Sequence, residues 1–77
     1  MKPNDLSNFQ FRFLSAGHYR VTYTTQRGDY WVSLVTDMQL IDNTKNADWA
    51  KAVDIERLRN YVKRNGAHYG KNGQRID

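Results

Sequence analysis

The spacing of the apolar residues changes once along this chain. Through residues 9–36 apolar and polar side chains alternate, which is typical of strands that bury one face. From Ala50 to Arg64 the apolar residues instead recur every three or four positions among good helix formers, which is typical of an amphipathic helix. A strand-rich half followed by one helix predicts an α+β domain, with the helix packed against one face of a sheet.

Length and composition limit the classes of protein that remain. The 77 residues supply one compact unit at most, and 39% hydrophobic residues are too many for a chain that is disordered throughout. No apolar run approaches the ~20 residues of a membrane span. Cysteine is absent, which excludes disulfides and thiolate metal sites, and the first residues do not resemble an apolar signal sequence. We therefore expect a soluble cytoplasmic domain.

Turn residues divide the chain into elements. The predicted order is a three-stranded antiparallel meander, a possible short helical turn and a C-terminal helix that packs across the sheet (βββα). The predicted bounds are residues 9–14, 18–25 and 30–36 for the strands and 49–65 for the helix. Residues 1–8 are expected to be disordered and residues 66–77 to form a flexible tail, which leaves one domain at residues 9–65.

The alternation of apolar residues in the first two strands predicts the length of the loop between them. A three-residue loop, Ser15-Ala16-Gly17, pairs Phe13 with Tyr19 and keeps the aromatic residues on one face. Gly17 then supplies the positive φ that such a loop needs at its last position. The same register places Arg12 directly opposite Arg20 on the other face.

The sequence constrains the register of the second hairpin less than that of the first. A two-residue Arg27-Gly28 loop pairs Tyr23 with Val32 and places Trp31 on the face of the two arginines. A one-residue slip would exchange the faces of the third strand, so that Trp31 becomes buried and Tyr30 exposed.

Capping residues predict where the helices begin and end. Asp48 is a suitable N-cap for the long helix, and Asn65-Gly66 is a suitable C-terminal stop. Residues 37–46 are too polar at their ends for a central strand. We expect a short helical turn there, capped by Thr36 or Asp37.

The arginine pair indicates a function. A net charge of +4 and a pI near 9.6 favour acidic partners. Facing arginines repel each other mildly, and a bound anion would convert that repulsion into attraction. The leading hypothesis is a small non-enzymatic nucleic-acid-binding module, with DNA favoured over RNA and an acidic protein as another possible ligand. Its predicted binding residues are Arg12, Arg20, Thr22, Trp31, Arg27 and Lys71.

A second hypothesis is a protein-binding or inhibitory module. Trp49 and Val53 fall on the far side of the helix from Leu58, which leaves an apolar pair that either packs under the preceding loop or contacts a partner. Under both hypotheses we expect the protein to have no cofactor, no metal site and no catalytic activity. His18 and His68 lack further ligands at zinc spacing, and no nucleophile has a base positioned beside it.

Several short stretches resemble a known group of proteins. Gly17-His18-Tyr19, Val21-Thr22-Tyr23, Trp31, Thr36-Asp37-Met38, Leu40-Ile41-Asp42 and Thr44-Lys45-Asn46 are similar to short proteins of Bacteroides-type bacteria, their phages and conjugative elements. That group has no assigned activity, so the resemblance implies only a role in a phage or mobile element. The predicted architecture alone is similar to the DNA-binding domains of AP2-type plant factors and Tn916-type integrases, none of whose residue motifs is matched here.

Overall fold

The fold is α+β, with one antiparallel sheet and two helices. A computed structural model describes residue 6, residues 8–46 and residues 48–76. The elements are β1 (Phe9–Ser15), β2 (His18–Thr24), β3 (Tyr30–Val35), α1 (Met38–Thr44), α2 (Ala52–Asn65) and β4 (Ala67–Tyr69). The sheet order is β1-β2-β3-β4, so the predicted three-stranded meander is present and a fourth strand is added to it. The prediction for residues 1–8 falls mostly on residues 1–5 and 7, which lie outside the described residues.

One face of the sheet and the two helices enclose the core. The buried residues alternate along the strands and recur at helical spacing in α2, as the sequence periods require. They are Phe9, Val21, Val35, Leu40, Ile41, Ala50, Ile55, Leu58 and Val62. We call the sheet face that contributes to this core the inner face, and the opposite one the outer face.

The first hairpin has the predicted pairing. Phe13 lies opposite Tyr19 and Arg12 opposite Arg20, while Gly17 has a φ of 80°. The predicted three-residue loop is wrong, because Ser15 belongs to β1 and pairs with His18, so only two residues, 16–17, connect the strands. An irregularity between Phe13 and Ser15 accommodates the extra residue and keeps the pairing of the aromatic residues as predicted.

The predicted register of β3 is wrong by one residue. Tyr23 lies opposite Trp31 instead of Val32, and five residues, 25–29, connect the strands instead of two. The longer loop closes on itself, because the Thr25 N–H donates to the Asp29 carbonyl at 2.9 Å and Gly28 adopts a φ of 97°. The slip turns Trp31 toward the helices and Tyr30 outward.

The fourth strand follows directly from the end of α2, in the segment predicted to be a tail. Gly66 ends the helix as predicted, and its N–H donates to the Val62 carbonyl at 2.8 Å. A Cβ at this position would lie 2.4 Å from the Val32 carbonyl oxygen and 2.5 Å from that of Val62. Only glycine allows the chain to pass so close to β3 and then pair with it.

The start of α1 was predicted correctly, and the start of α2 was not. Asp37 is the N-cap of α1 as expected, and its side chain accepts from the Leu40 N–H at 3.1 Å. The prediction that Asp48 caps α2 is wrong, because α2 begins at Ala52 after Lys51, whose side chain makes no capping bond. Asn46 organises the segment before α2 instead, since its side chain accepts from the Asp48 N–H at 2.9 Å in a separate turn.

We predict that Gly66→Ala destabilises the protein by about 3 kcal/mol or prevents folding, since the two contacting atoms belong to the backbone and cannot move aside. The matched control is Gly17→Ala, where a Cβ would meet nothing within 4 Å and only the positive φ opposes it. That control should cost about 1 kcal/mol. Urea denaturation of both variants measures the difference, and equal costs would contradict the assigned role of Gly66.

Candidate functional site

The outer face is the largest surface of the sheet that neither helix covers. Its residues follow from the strand pairing, because residues directly opposite each other point to the same side. They are Gln10, Arg12, Arg20, Thr22, Thr24, Tyr30, Val32, Leu34, Ala67 and Tyr69. None of the four strands contains Asp or Glu, so the strands contribute no carboxylate to this face.

Arg12 and Arg20 form a cross-strand pair on the outer face. Both residues are exposed, and they are direct partners in the β1–β2 ladder. Among the described residues, neither guanidinium forms an ion pair with a carboxylate. Thr22 is also on the outer face, two residues further along β2 than Arg20. The structure therefore brings three of the predicted site residues together.

A pair of tyrosines lies at the other end of the same face. Tyr30 and Tyr69 are direct partners in the β3–β4 ladder, and their rings stack with 5.3 Å between centroids and 12° between planes. The sequence analysis did not include either residue in the site. The one-residue slip of β3 would have identified Tyr30, but Tyr69 lies in the predicted tail and had no signal in the sequence.

The chain continues past Tyr69 and adds to this end of the outer face. After a turn at residues 70–73, Arg75 forms an antiparallel bridge with Tyr69, and the Ile76 N–H donates to the His68 carbonyl at 2.9 Å. Since bridge partners share a face, Arg75 lies on the outer side beside Tyr69. Arg75 is a third residue of this face, after Tyr30 and Tyr69, that was not among the predicted site residues.

Trp31 does not belong to the outer face. Its ring stacks on the His68 ring at 3.9 Å between centroids, and the Lys63 ammonium lies 5.9 Å from its centroid. Both neighbours belong to the inner side of the sheet, where Trp31 packs against the hydrophobic core. The prediction that Trp31 stands beside the two arginines is therefore wrong, because it depended on the wrong β3 register.

A buried carboxylate holds the β2–β3 loop in place. Asp29 accepts hydrogen bonds from the Thr25 hydroxyl and from His68 Nε2, the latter at 2.6 Å, and it pairs with Arg27 at 3.3 Å. An ionised carboxylate only accepts hydrogen bonds, so His68 donates through Nε2. The Thr25 bond most of all, then the His68 bond and the Arg27 charge, lower the pKa of Asp29 to about 2, although burial opposes them.

The last two predicted contact residues lie at the corner next to this loop. Arg27 extends into solvent with 83% of its side chain exposed, while its guanidinium is paired with Asp29. Lys71 lies beside the loop, since a Cβ at Gly28 would come within 3.2 Å of the Lys71 Cβ. The structure thus brings Arg27 and Lys71 to one corner, separate from the Arg12–Arg20 pair.

The alternative partner-binding residues lie on the helical side of the molecule. Trp49 is 65% exposed and Val53 is 61% exposed, so the preceding loop does not cover them. Val53 also lines a groove of about 600 Å³ between the two helices, together with Leu40, Tyr61 and Arg64.

The described part of the chain has neither a cluster of metal ligands nor a membrane-spanning helix. Within residues 8–46 and 48–76, no group of three or more His, Asp or Glu side chains could hold a metal ion. No helix in those ranges is long and apolar enough to cross a membrane.

Comparison with known proteins yields no relative. No protein-family model, no curated protein and no solved structure matches this chain. The resemblance to short proteins of Bacteroides-type bacteria and their phages stays a prediction.

We predict that the stability of the protein falls as the pH decreases from about 4 toward 2. The pKa of Asp29 is lower in the folded state than the ~3.9 of an unfolded chain, so the unfolded state binds more protons in this window. The contribution of Asp29 is complete above about pH 4 and is lost as the pH falls through its folded pKa.

Urea denaturation at closely spaced pH values measures this slope. Asp29→Asn should be less stable than the parent at pH 6, and its stability should depend less on pH between 4 and 2. Asp48→Asn, which removes an exposed carboxylate in a turn, should retain the parent slope. An unchanged slope in Asp29→Asn would contradict the assigned role of Asp29.

Proposed function

We propose that this protein binds nucleic acid on the outer face of its sheet, with Arg12 and Arg20 in contact with phosphate. The proposal depends on one observation. Two exposed arginines face each other across β1 and β2, and no described carboxylate neutralises either of them.

The energetics of the arginine pair favour an anionic ligand. Like charges directly opposite each other destabilise a sheet, by something on the order of a few tenths of a kcal/mol. A phosphate accepts two parallel hydrogen bonds from a guanidinium, and each such charge-assisted bond is roughly twice as strong as a neutral one. A phosphate between Arg12 and Arg20 converts the repulsion into two favourable contacts.

The surroundings of the pair support a polyanion over a single small anion. Gln10, Thr22 and Thr24 add hydrogen-bond donors along the same face, and Arg75 lies at its far end. Arg27 and Lys71 extend the positive charge around the loop corner. Contacts distributed over the whole width of a sheet fit a chain of phosphates.

We predict that Arg12→Ala with Arg20→Ala weakens binding to a nucleic-acid oligomer at least tenfold at ~50 mM salt. Removal of two phosphate contacts should also reduce the slope of log K against log salt by about 1.5 to 2. The matched control is Lys51→Ala with Arg64→Ala, which removes the same net charge from two exposed residues on the helical side of the molecule. Fluorescence anisotropy over a salt series measures both effects.

Two results would reject the proposal. One is the absence of binding to DNA and RNA by the parent protein at ~50 mM salt. The other is an equal loss of affinity in the two double variants, which would show a dependence on net charge without a localised site.

A protein-binding role is the second candidate, and the exposure of Trp49 and Val53 favours it. Tryptophan is enriched among the few residues that carry most of the binding energy of protein interfaces, so an exposed Trp49 suits an anchor role. The groove beside Val53 could accept a side chain of the partner. An acidic target could instead use the arginines of the outer face.

We predict that, under the protein-binding alternative, partner capture survives nuclease treatment and high salt and is lost in Trp49→Ala. Leu34→Ala is the matched control, since Leu34 is another large apolar residue, 52% exposed, on the outer face. Affinity capture followed by mass spectrometry compares the two variants. Loss of the partner on nuclease treatment, or in Leu34→Ala alone, would contradict the use of the Trp49 side.

A further inference from the structure

We infer that the nucleic acid bound by the outer face is single-stranded, with bases that stack on the Tyr30–Tyr69 pair. This inference rests on the proposed function and narrows it to one class of ligand. Three features of the outer face lead to it: the stacked tyrosines, their distance from the arginines and the width of the sheet.

The tyrosine pair offers a stacking surface for bases. The two rings are nearly parallel, half-exposed and in the same row of the outer face. The pairing of β3 with β4 brings them together and also confines their rotation. Base–aromatic stacking occurs with every base, because each one has a π-face, and it requires bases that no partner strand holds in a duplex.

Two basic residues, Lys71 and Arg75, lie in the segment that borders this stacking surface. The turn at residues 70–73 lies beside the Tyr30 hydroxyl, since a Cβ at Gly73 would come within 3.8 Å of it. That turn contains Lys71, and Arg75 follows in the segment bridged to Tyr69. Aromatic rings bordered by cations are the combination that single-strand-binding surfaces use.

The distance between arginines and tyrosines suits a short strand. Arg20 lies opposite Arg12, and Thr24 lies opposite Tyr30. Arg20 and Thr24 are four residues apart in β2, so the arginines and the tyrosines are ~13 Å apart in the direction of the strands. About four stacked nucleotides, at ~3.4 Å each, cover that length. The row between them contains Thr22 and Val32, which are short enough for a strand to pass over.

The width of the sheet disfavours a duplex. β1 and β4 are separated by three strand spacings, or ~14 Å, and the segment around Arg75 adds one more. The major groove of B-DNA is only ~12 Å wide and admits a helix or a two-stranded ribbon. The full width of the outer face, from Arg12 on β1 to Tyr69 on β4, therefore does not fit into one groove, whereas a flexible single strand can contact both ends.

The test measures anisotropy of fluorescein-labelled 12-mers at ~50 mM salt: single-stranded DNA, single-stranded RNA of the same sequence and the DNA duplex. The full chain should bind at least one single strand at least tenfold more tightly than the duplex. Tyr69→Leu, which removes the aromatic ring but keeps an apolar side chain, should weaken single-strand binding about tenfold and leave duplex binding unchanged. Tyr69→Phe should retain the affinity of the parent.

A second pair of variants protects the test against a folding defect in β4. Tyr30→Leu and Tyr30→Phe change the other ring of the pair and should behave in the same way as the Tyr69 variants. Circular dichroism and thermal unfolding of each variant show whether the sheet is retained.

The binding results distinguish failure of the single-strand inference from failure of the proposed function. Two results would overturn this inference: duplex binding as tight as single-strand binding, or Leu variants that are folded and bind single strands as tightly as the parent. In either case the Arg12 and Arg20 variants still test the proposed function separately. Absence of binding to all three oligomers would overturn both.

Discussion

The hydrogen bonds of Asp29 stabilise the loop that fixes the register of β3, and with it the face that each β3 residue occupies. Asp29 is bound by the Thr25 hydroxyl from its own loop and by His68 from β4, so one carboxylate joins segments almost forty residues apart in the chain. The five-residue loop that results sets the register of β3 against β2. Since a shift of one residue exchanges the two faces of a strand, this cluster decides that Trp31 is inside and Tyr30 outside.

The register separates two kinds of aromatic surface. On the inner side Trp31 stacks on His68 and packs against the core, where it stabilises the contact between the sheet and α2. On the outer side Tyr30 meets Tyr69 on a face whose four strands contribute two arginines and no Asp or Glu. The proposed binding surface therefore depends on β4, the strand that brings both His68 and Tyr69 to the sheet.

Elements whose structure depends on residues close together in the sequence were predicted well. The first hairpin follows from the alternation around Gly17, and the start of α1 follows from the capping side chain of Asp37. The start of α2 was predicted less well, because Asn46 forms a turn that competes with capping by Asp48. For the site, Arg12, Arg20 and Thr22 were placed correctly on one face, whereas Trp31 was not.

The sequence by itself determined the α+β class, the first hairpin and the facing arginines, because these depend on periodicity and on turns between neighbouring residues. Only the tertiary structure decided the β3 register, the fourth strand and the Tyr30–Tyr69 pair. The Asp29–His68 bond spans the sequence from the second loop to β4, and the close approach of Gly66 to Val32 involves backbone atoms alone. Neither leaves a local pattern, since each depends on where distant segments meet after the helix has packed on the sheet.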